Sequence, residues 1–330
     1  MNDLVKKLVE AFGPSGFEDG MRDLIRPEIE PYADEISVDT MGNLIALKKG
    51  DGSGLKVMIA AHMDEIGLMV THVTEKGFLR FTNIGGVRPH TLMGNRVQFA
   101  DGTIGAINSE RLESIENIHP LSKHYIDVGA TSKENCPIEV GQAAGFHRPL
   151  VVQGDYYIAK SLDDRIGCVV AIEAMKKLKD TPHDVYFVFS TQEEVGTRGA
   201  QAAANHILPD VGIALDVTST GDTPGARTMA VELGQGTAIK VKDSGMISHA
   251  GLVKIMRQRA EEADIPYQLE VLLGGSTDAR SIQIAGPGAA AGCISIPCRH
   301  LHTVSEMTNI NDVQGSIDLL VAILSNPIDV

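Results

Sequence analysis

Tryptophan is absent from this chain of 330 residues, and aromatic residues make up only 4% of it. Broad ring platforms for stacking sugars or bases are therefore short of material. Cysteine is scarce too: of four, Cys136 and Cys168 stand alone, and only Cys293 and Cys298 lie close in sequence. No CxxC spacing occurs, which argues against a zinc ribbon or a thioredoxin-like redox motif and leaves reduced thiols, the usage of a cytoplasmic protein. No apolar stretch reaches the roughly 18 uninterrupted residues of a membrane span. The first residues, MNDLVKKLVEAFG, are amphipathic and lack the apolar run of a signal peptide. A soluble, cytoplasmic protein is expected. Positive charge is in the minority: 29 Lys and Arg against 43 Asp and Glu leave a net charge of −14. That field repels phosphate backbones and anionic lipid, so neither nucleic acid nor membrane is expected as a partner, and it attracts cations.

What is present reads as a globular α/β protein. Apolar residues are 43% and charged residues 22%, and the length suits roughly two domains. Leu4, Val5, Leu8, Val9 and Phe12 recur at helical spacing until Gly13-Pro14-Ser15-Gly16 breaks the pattern. A second helix is expected over 17–31 and a strand or hairpin over 34–48. Lys56-Val57-Met58-Ile59-Ala60-Ala61 is nearly all apolar, the mark of a strand covered on both faces. From about 68 to 158 short alternating runs are separated by Gly-rich turns, which reads as an inserted β domain. Strand and helix then alternate again: strands near 184–190, 211–215, 268–273 and 292–297, helices near 166–178, 196–207, 248–263, 276–284 and 313–324. The expected fold is α/β, a mixed, mostly parallel sheet sandwiched by helices and built from residues 1–67 plus 159–330, with an inserted all-β, barrel-like domain at 68–158.

Metal-binding residue types sit at the ends of the expected buried strands. His62 and Asp64 follow 57–61, Glu193 and Glu194 follow 184–190, Asp216 follows 211–215, and His302 follows 294–297. Ligands of open α/β sheets bind beyond the carboxyl ends of the strands, so these residues could meet in one crevice. Imidazoles and carboxylates without thiolate suit a hard-to-borderline divalent metal. Each motif taken singly has a plain alternative. A lone histidine at a strand end is commonly structural, Glu193-Glu194 could be a solvated loop pair, Asp163-Asp164 could cap the helix that follows, and Asp216 could be a turn residue.

Taken together and in order, Ala61-His62-Met63-Asp64-Glu65-Ile66-Gly67, Leu162-Asp163-Asp164-Arg165, Gln192-Glu193-Glu194-Val195-Gly196, Leu215-Asp216 and Arg299-His300-Leu301-His302-Thr303 resemble the motif set of the tetrahedral di-metal aminopeptidases, metallopeptidase family forty-two, which includes glutamyl and deblocking aminopeptidases. Gly13-Pro14-Ser15-Gly16-Phe17-Glu18 and Gly275-Ser276-Thr277-Asp278-Ala279 also fit, and the resemblance spans essentially the whole chain. It implies two divalent metal ions per chain, zinc or cobalt. His62 and Asp216 would hold one, Glu194 and His302 the other. Asp163, followed by a cis peptide, would bridge them, Glu193 would be the general base, and Asp64 would orient His62. The chain departs from the family pattern at His300, where an aromatic residue is usual, so His300 competes with His302 for the ligand role.

Two divalent ions against three carboxylate ligands leave one positive charge, which a bridging hydroxide neutralises, and such a site brings the pKa of its water from about 15.7 toward about 7. The implied activity is removal of amino-terminal residues from short peptides. The insert is implied to build dimers and, from them, a hollow tetrahedral dodecamer. The alternative within hydrolysis is a metal-dependent amidohydrolase or deacylase using the same residues. A glycosidase is disfavoured by the missing tryptophan and the metal-type histidines, and a non-catalytic scaffold by the full set of candidate ligands.

Overall fold

The computed structural model describes residues 1–111 and 118–330. The chain starts with α1 (Asn2–Val9) and α2 (Asp19–Ile29), then β1 (Glu35–Val38), β2 (Leu44–Lys48) and β3 (Lys56–His62). α1 stops before Phe12, and its buried stripe is Leu4, Val5, Leu8 and Val9. Six strands follow: β4 (Gly67–Val73), β5 (Leu79–Ile84), β6 (Arg96–Phe99), β7 (Ile104–Ser109), β8 (His124–Asp127) and β9 (Ala143–Phe146). They close into a barrel in the order β4-β5-β8-β7-β6-β9. Alternate residues such as Leu68 and Val70, Leu79 and Phe81, and Val97 and Phe99 point inward to form its core, as a strand with one buried face requires.

β10 (Val151–Gln153) and β11 (Tyr156–Ala159) come next, then α3 (Leu162–Lys177), β12 (Asp184–Ser190), α4 (Arg198–Ile207), β13 (Val211–Thr218), β14 (Thr237–Lys242), α5 (Ala250–Glu262), β15 (Tyr267–Val271), α6 (Asp278–Gln283), β16 (Ala290–Arg299), β17 (Glu306–Asn309) and α7 (Ile310–Leu324). The large sheet has 11 strands, ordered β1-β2-β12-β3-β13-β16-β17-β11-β10, with β14 joined to β16 and β15 to β14. β10 and β11 thus belong to this sheet, through the antiparallel pairing of β11 with β17, although all of their residues but Ala159 fall in the stretch 68–158 that reads as insert. The barrel itself ends at Phe146. The expected parallel character holds for the central strands β12, β3, β13 and β16. The flanks, β1, β2, β10, β11 and β17, are antiparallel.

Both faces of the sheet are covered, which is why β3 is apolar from Val57 to Ala61. Val57, Ile59 and Ala61 pack into the core under α1, α2, α3, α5 and α7, while Met58 and Ala60 pack beneath α4 and α6. Gly212 in β13 belongs to the second layer, where a Cβ would meet Ile282 Cγ2 of α6 at 2.2 Å. Two strands, β14 and β17, escape the apolar pattern. β14 buries Lys240 against Glu270, and β17 buries Glu306, Thr308 and Asn309, so neither carries the hydrophobic run that marks a strand in sequence. Among the described residues no helix is long and apolar enough to cross a membrane.

Candidate metal centre

Because β12, β3, β13 and β16 are parallel, their carboxyl ends meet at one edge of the sheet. His62 closes β3, level with Ser190 at the end of β12, and Glu193 and Glu194 follow after Thr191 and Gln192. Asp216 lies inside β13, which runs on to Thr218, and His302 lies beyond β16. Asp163 and Asp164 open α3 with non-helical backbone angles, and the peptide between them is cis.

Asp163 turns one carboxylate oxygen to each histidine: Oδ1 is 3.1 Å from His62 Nε2 and Oδ2 is 3.3 Å from His302 Nε2. His302 Nε2 is also 3.3 Å from Glu194 Oε2, and His62 Nε2 is 3.9 Å from Glu193 Oε2. Two groups of donor atoms, each mutually within 4.8 Å, stand out: His62 with Asp164 and Asp216, and Asp163 with Glu194 and His302. Asp164 has other work. Its oxygens accept from the backbone N–H of His62 and of Gly167, both at 3.2 Å. The second of these is a helix cap, so the capping alternative applies to Asp164 and not to Asp163. Gly167 is required there, since a Cβ would lie 2.3 Å from both Asp164 oxygens. His300 is exposed and falls in neither group of donors.

The surroundings hold these groups in place. His62 Nδ1 faces the Asp64 backbone carbonyl at 3.1 Å, a contact that fixes the ring with Nε2 toward the carboxylates. Asp64 Oδ1 lies 3.4 Å from the same nitrogen. The Asp64 carboxylate also accepts from Glu193 N (2.9 Å), Glu194 N (3.1 Å) and Ser15 Oγ (2.6 Å), so it fixes the Glu-Glu turn as well as the histidine. Glu18, from the same amino-terminal motif as Ser15, accepts from Gln192 N at 3.0 Å. Glu306 of β17 was not a candidate in the sequence, yet its two oxygens accept from Asp163 N at 3.0 Å and His302 N at 2.8 Å. Only its place four residues after His302 hinted at it. Gln192, His300 and His302 have φ of 55°, 61° and 60°, left-handed angles that non-glycine residues take where surrounding contacts impose them.

The barrel also reaches this edge. Gly86, in the loop between β5 and β6, lies so close that a Cβ there would sit 2.3 Å from His302 Nδ1. At Gly85 it would sit 3.1 Å from Glu194 Cβ. All the candidate ligands lie outside the insert, but the insert packs on two of them.

Electrostatically the cluster is short of positive charge. Burial, followed by Asp163, raises Glu194, and Glu194 Oε1 is buried with no hydrogen-bond partner. Glu193 and Asp216 stand well above the carboxylate range because burial is reinforced by neighbouring carboxylates. Burial opposes the charged form of His302, but hydrogen bonds to Asp163 and Glu194 overcome it and push the imidazole up to about 12. Crowded carboxylates with imidazoles and an orphaned buried oxygen fit divalent cations, which would satisfy all of them together. The cluster opens into a cavity of about 1020 Å³ lined by Asp163, Glu193, Glu194 and Asp216 on one side.

Known proteins resemble this chain along nearly its whole length. The family described as M42 glutamyl aminopeptidase matches residues 42–319. A protein of Acetivibrio thermocellus, provisionally assigned as an aminopeptidase, is 48% identical over 97% of this chain and 97% of its own. The aminopeptidase APDkam598 of the archaeon Desulfurococcus kamchatkensis is 39% identical and superposes with a TM-score of 0.95 over 99% of this chain and 94% of that one. The TET1 peptidase of Pyrococcus horikoshii, which can assemble into a tetrahedron or a large octahedral shell, is 33% identical, with a TM-score of 0.87 over 98% of each chain. A crowded carboxylate–imidazole edge on this mixed sheet, a closed barrel beside it and relatives matching end to end lead to one assignment: the chain is an aminopeptidase of the M42 family of metallopeptidases.

Proposed function

We propose that the protein removes amino-terminal residues from short peptides with two divalent ions, zinc or cobalt, bound at this edge. His62 and Asp216 would hold one ion, Glu194 and His302 the other, and Asp163 would bridge. The observation that carries this reading is the Asp163 carboxylate, with one oxygen toward each histidine. When bound, the ions would polarise the scissile carbonyl and acidify the attacking water. Glu193, outside the proposed ligand set, would take the water's proton and pass it to the leaving amine. Asp64 holds the His62 ring and the backbone of Glu193 and Glu194. The remaining negative charge favours a substrate that presents a free ammonium. Self-association through the barrel into dimers and a tetrahedral dodecamer would enclose the sites in a cytoplasmic particle and admit only short, unfolded chains, and the TET1 peptidase's ability to assemble into a tetrahedron supports this.

The test is metal removal. Elemental analysis should find two equivalents per chain. Chelation should abolish cleavage of aminoacyl p-nitroanilides, and zinc or cobalt should restore it. Acetylating the substrate's amine should stop the reaction, which a deacylase would tolerate. Full activity without bound metal would overturn the proposal.

A further inference from the structure

Away from the donor cluster the same cavity changes sign. Among the described residues its lining carries no carboxylate beyond Asp163, Glu193, Glu194 and Asp216, but it includes Arg88, Arg227, Lys240, Arg280 and Arg299. Two of these cations are already engaged. Arg299 forms a fork on Asp222, at 3.1 and 2.5 Å, and Lys240 is buried against Glu270. Arg88, Arg227 and Arg280 are exposed, and among the described residues their side chains pair with no carboxylate. They come from three separate places: the barrel loop, the loop after β13, and α6. In a chain of net charge −14, three unpaired guanidinium groups on one cavity are set against the general field.

The Arg88 loop is anchored. Thr91 N and Oγ1 donate to the Arg88 carbonyl at 3.1 and 2.9 Å, and Gly86 two residues earlier rests on His302. Arg280 stands on a helix whose Thr277 cap is formed. The cavity is therefore bipolar, acidic at its buried end and cationic at its mouth. A peptide that places its ammonium in the acidic end leads outward past the arginines, about 3.3–3.6 Å per residue.

Building on the aminopeptidase reading, we propose that Arg88, Arg227 and Arg280 form a carboxylate-binding rim for the leaving part of the substrate, beyond the scissile bond. Guanidinium groups suit this because their forked donors match a carboxylate's two oxygens. The carboxylate comes from the carboxyl terminus of a short peptide or from an acidic side chain downstream.

Matched tripeptides with the same first two residues test it. One pair ends in alanine as the free acid or the amide, which reads the carboxyl terminus. Another carries Asp or Asn at the third position, both as amides, which reads the side chain. In at least one pair the acidic member should have a KM lower by about fivefold, the scale of exposed ion pairs. That ratio should shrink as salt is raised and fall to one in Arg88→Ala/Arg227→Ala/Arg280→Ala. Ratios of one for both pairs in the unmodified enzyme, or ratios unchanged in the triple variant, would overturn the rim. A neutral aminoacyl p-nitroanilide separates the two ideas: if the metal-loaded enzyme fails to cleave it, the aminopeptidase reading falls, and the rim with it.

Discussion

The carboxyl edge of the large sheet and the barrel meet at His302, and they shape it in opposite ways. At the sheet edge the structure depends on side chains that are present: His62, Glu194, Asp216 and His302 converge because four parallel strands end together, and Asp163 joins them from the head of α3. The barrel depends on side chains that are missing. Gly85 and Gly86 let its loop lie against Glu194 and His302, and Gly105 inside the barrel makes room for Ile126. Residue chemistry is concentrated where backbone dipoles and burial can tune it. The barrel contributes shape, and among its described residues Arg88 is the one Arg, Lys, Asp or Glu on the cavity.

The largest expected effect separates two neighbours at the sheet edge. Glu193→Gln keeps the side chain's shape and removes the proposed base, so kcat should fall on the order of 10² or more with both metals retained. Glu194→Gln should lower metal affinity as well, because its carboxylate faces His302 at 3.3 Å. Stoichiometry by elemental analysis beside steady-state kinetics checks both. Equal metal loss in the two variants would mean that the assigned roles are reversed or shared.

How far the sequence announces each region follows the same contrast. His62, Glu193 and Glu194 are legible because strands covered on both faces are apolar runs, and polar residues just past such runs sit at the ligand-binding edge. Asp216 is legible for the same reason, although its strand continues past it. The Asp163-Asp164 pair is legible as a pair. Its division of labour is not, since it depends on which carboxylate meets the Gly167 N–H. Glu306 was hidden because β17 buries polar residues and lacks any periodic apolar signal. The barrel was visible as alternating short runs, but its limit at Phe146 was not, because β10 and β11 look like more short strands until their pairing with β17 is seen. A glycine such as Gly86, needed only because a ring lies against it, carries no sequence mark at all.

A pair of glycine substitutions in the insert sharpens the contrast at an intermediate scale. Gly86→Ala places a methyl group into the His302 ring, so the ring or the loop must move. Metal affinity or kcat/KM should fall about 10-fold or more, the usual cost of disturbing a ligand's support. Gly105→Ala instead overpacks the barrel core, with a Cβ 2.4 Å from Ile126 Cγ2. It should lower stability by about 1–3 kcal/mol while leaving metal content intact. Thermal unfolding and metal titration on both variants measure this. A Gly105→Ala protein that loses metal as readily as Gly86→Ala would erase the distinction between the barrel's loop and its interior.

The smallest expected effect is in the pH dependence of stability. In the α/β region several carboxylates are raised by burial, including Asp312, which sits at about 6 although the backbone N–H groups of Gly234 and Gly236 pull it down. In the barrel, Asp101 and Glu110 are lowered instead, the first chiefly by hydrogen bonds from Thr103 and the second by Lys123 and Arg80. The signs are opposite. A raised carboxyl binds its proton more tightly in the folded state, so its stabilisation is complete below the unfolded value of 3.8 and is lost as pH rises through about 6. A lowered carboxyl stabilises above its unfolded value and loses that contribution as pH falls. Asp312 lies away from the donor cluster, so its titration can be isolated. Asp312→Asn, which cannot ionise, should remove a downward slope of Tm between about pH 4 and about pH 7 amounting to roughly 2 °C. The comparison is made on the metal-loaded protein, where scans of both variants share every other titrating group. An unchanged slope would place the Asp312 carboxyl in the ordinary range and show that the glycine N–H groups, not burial, set its charge.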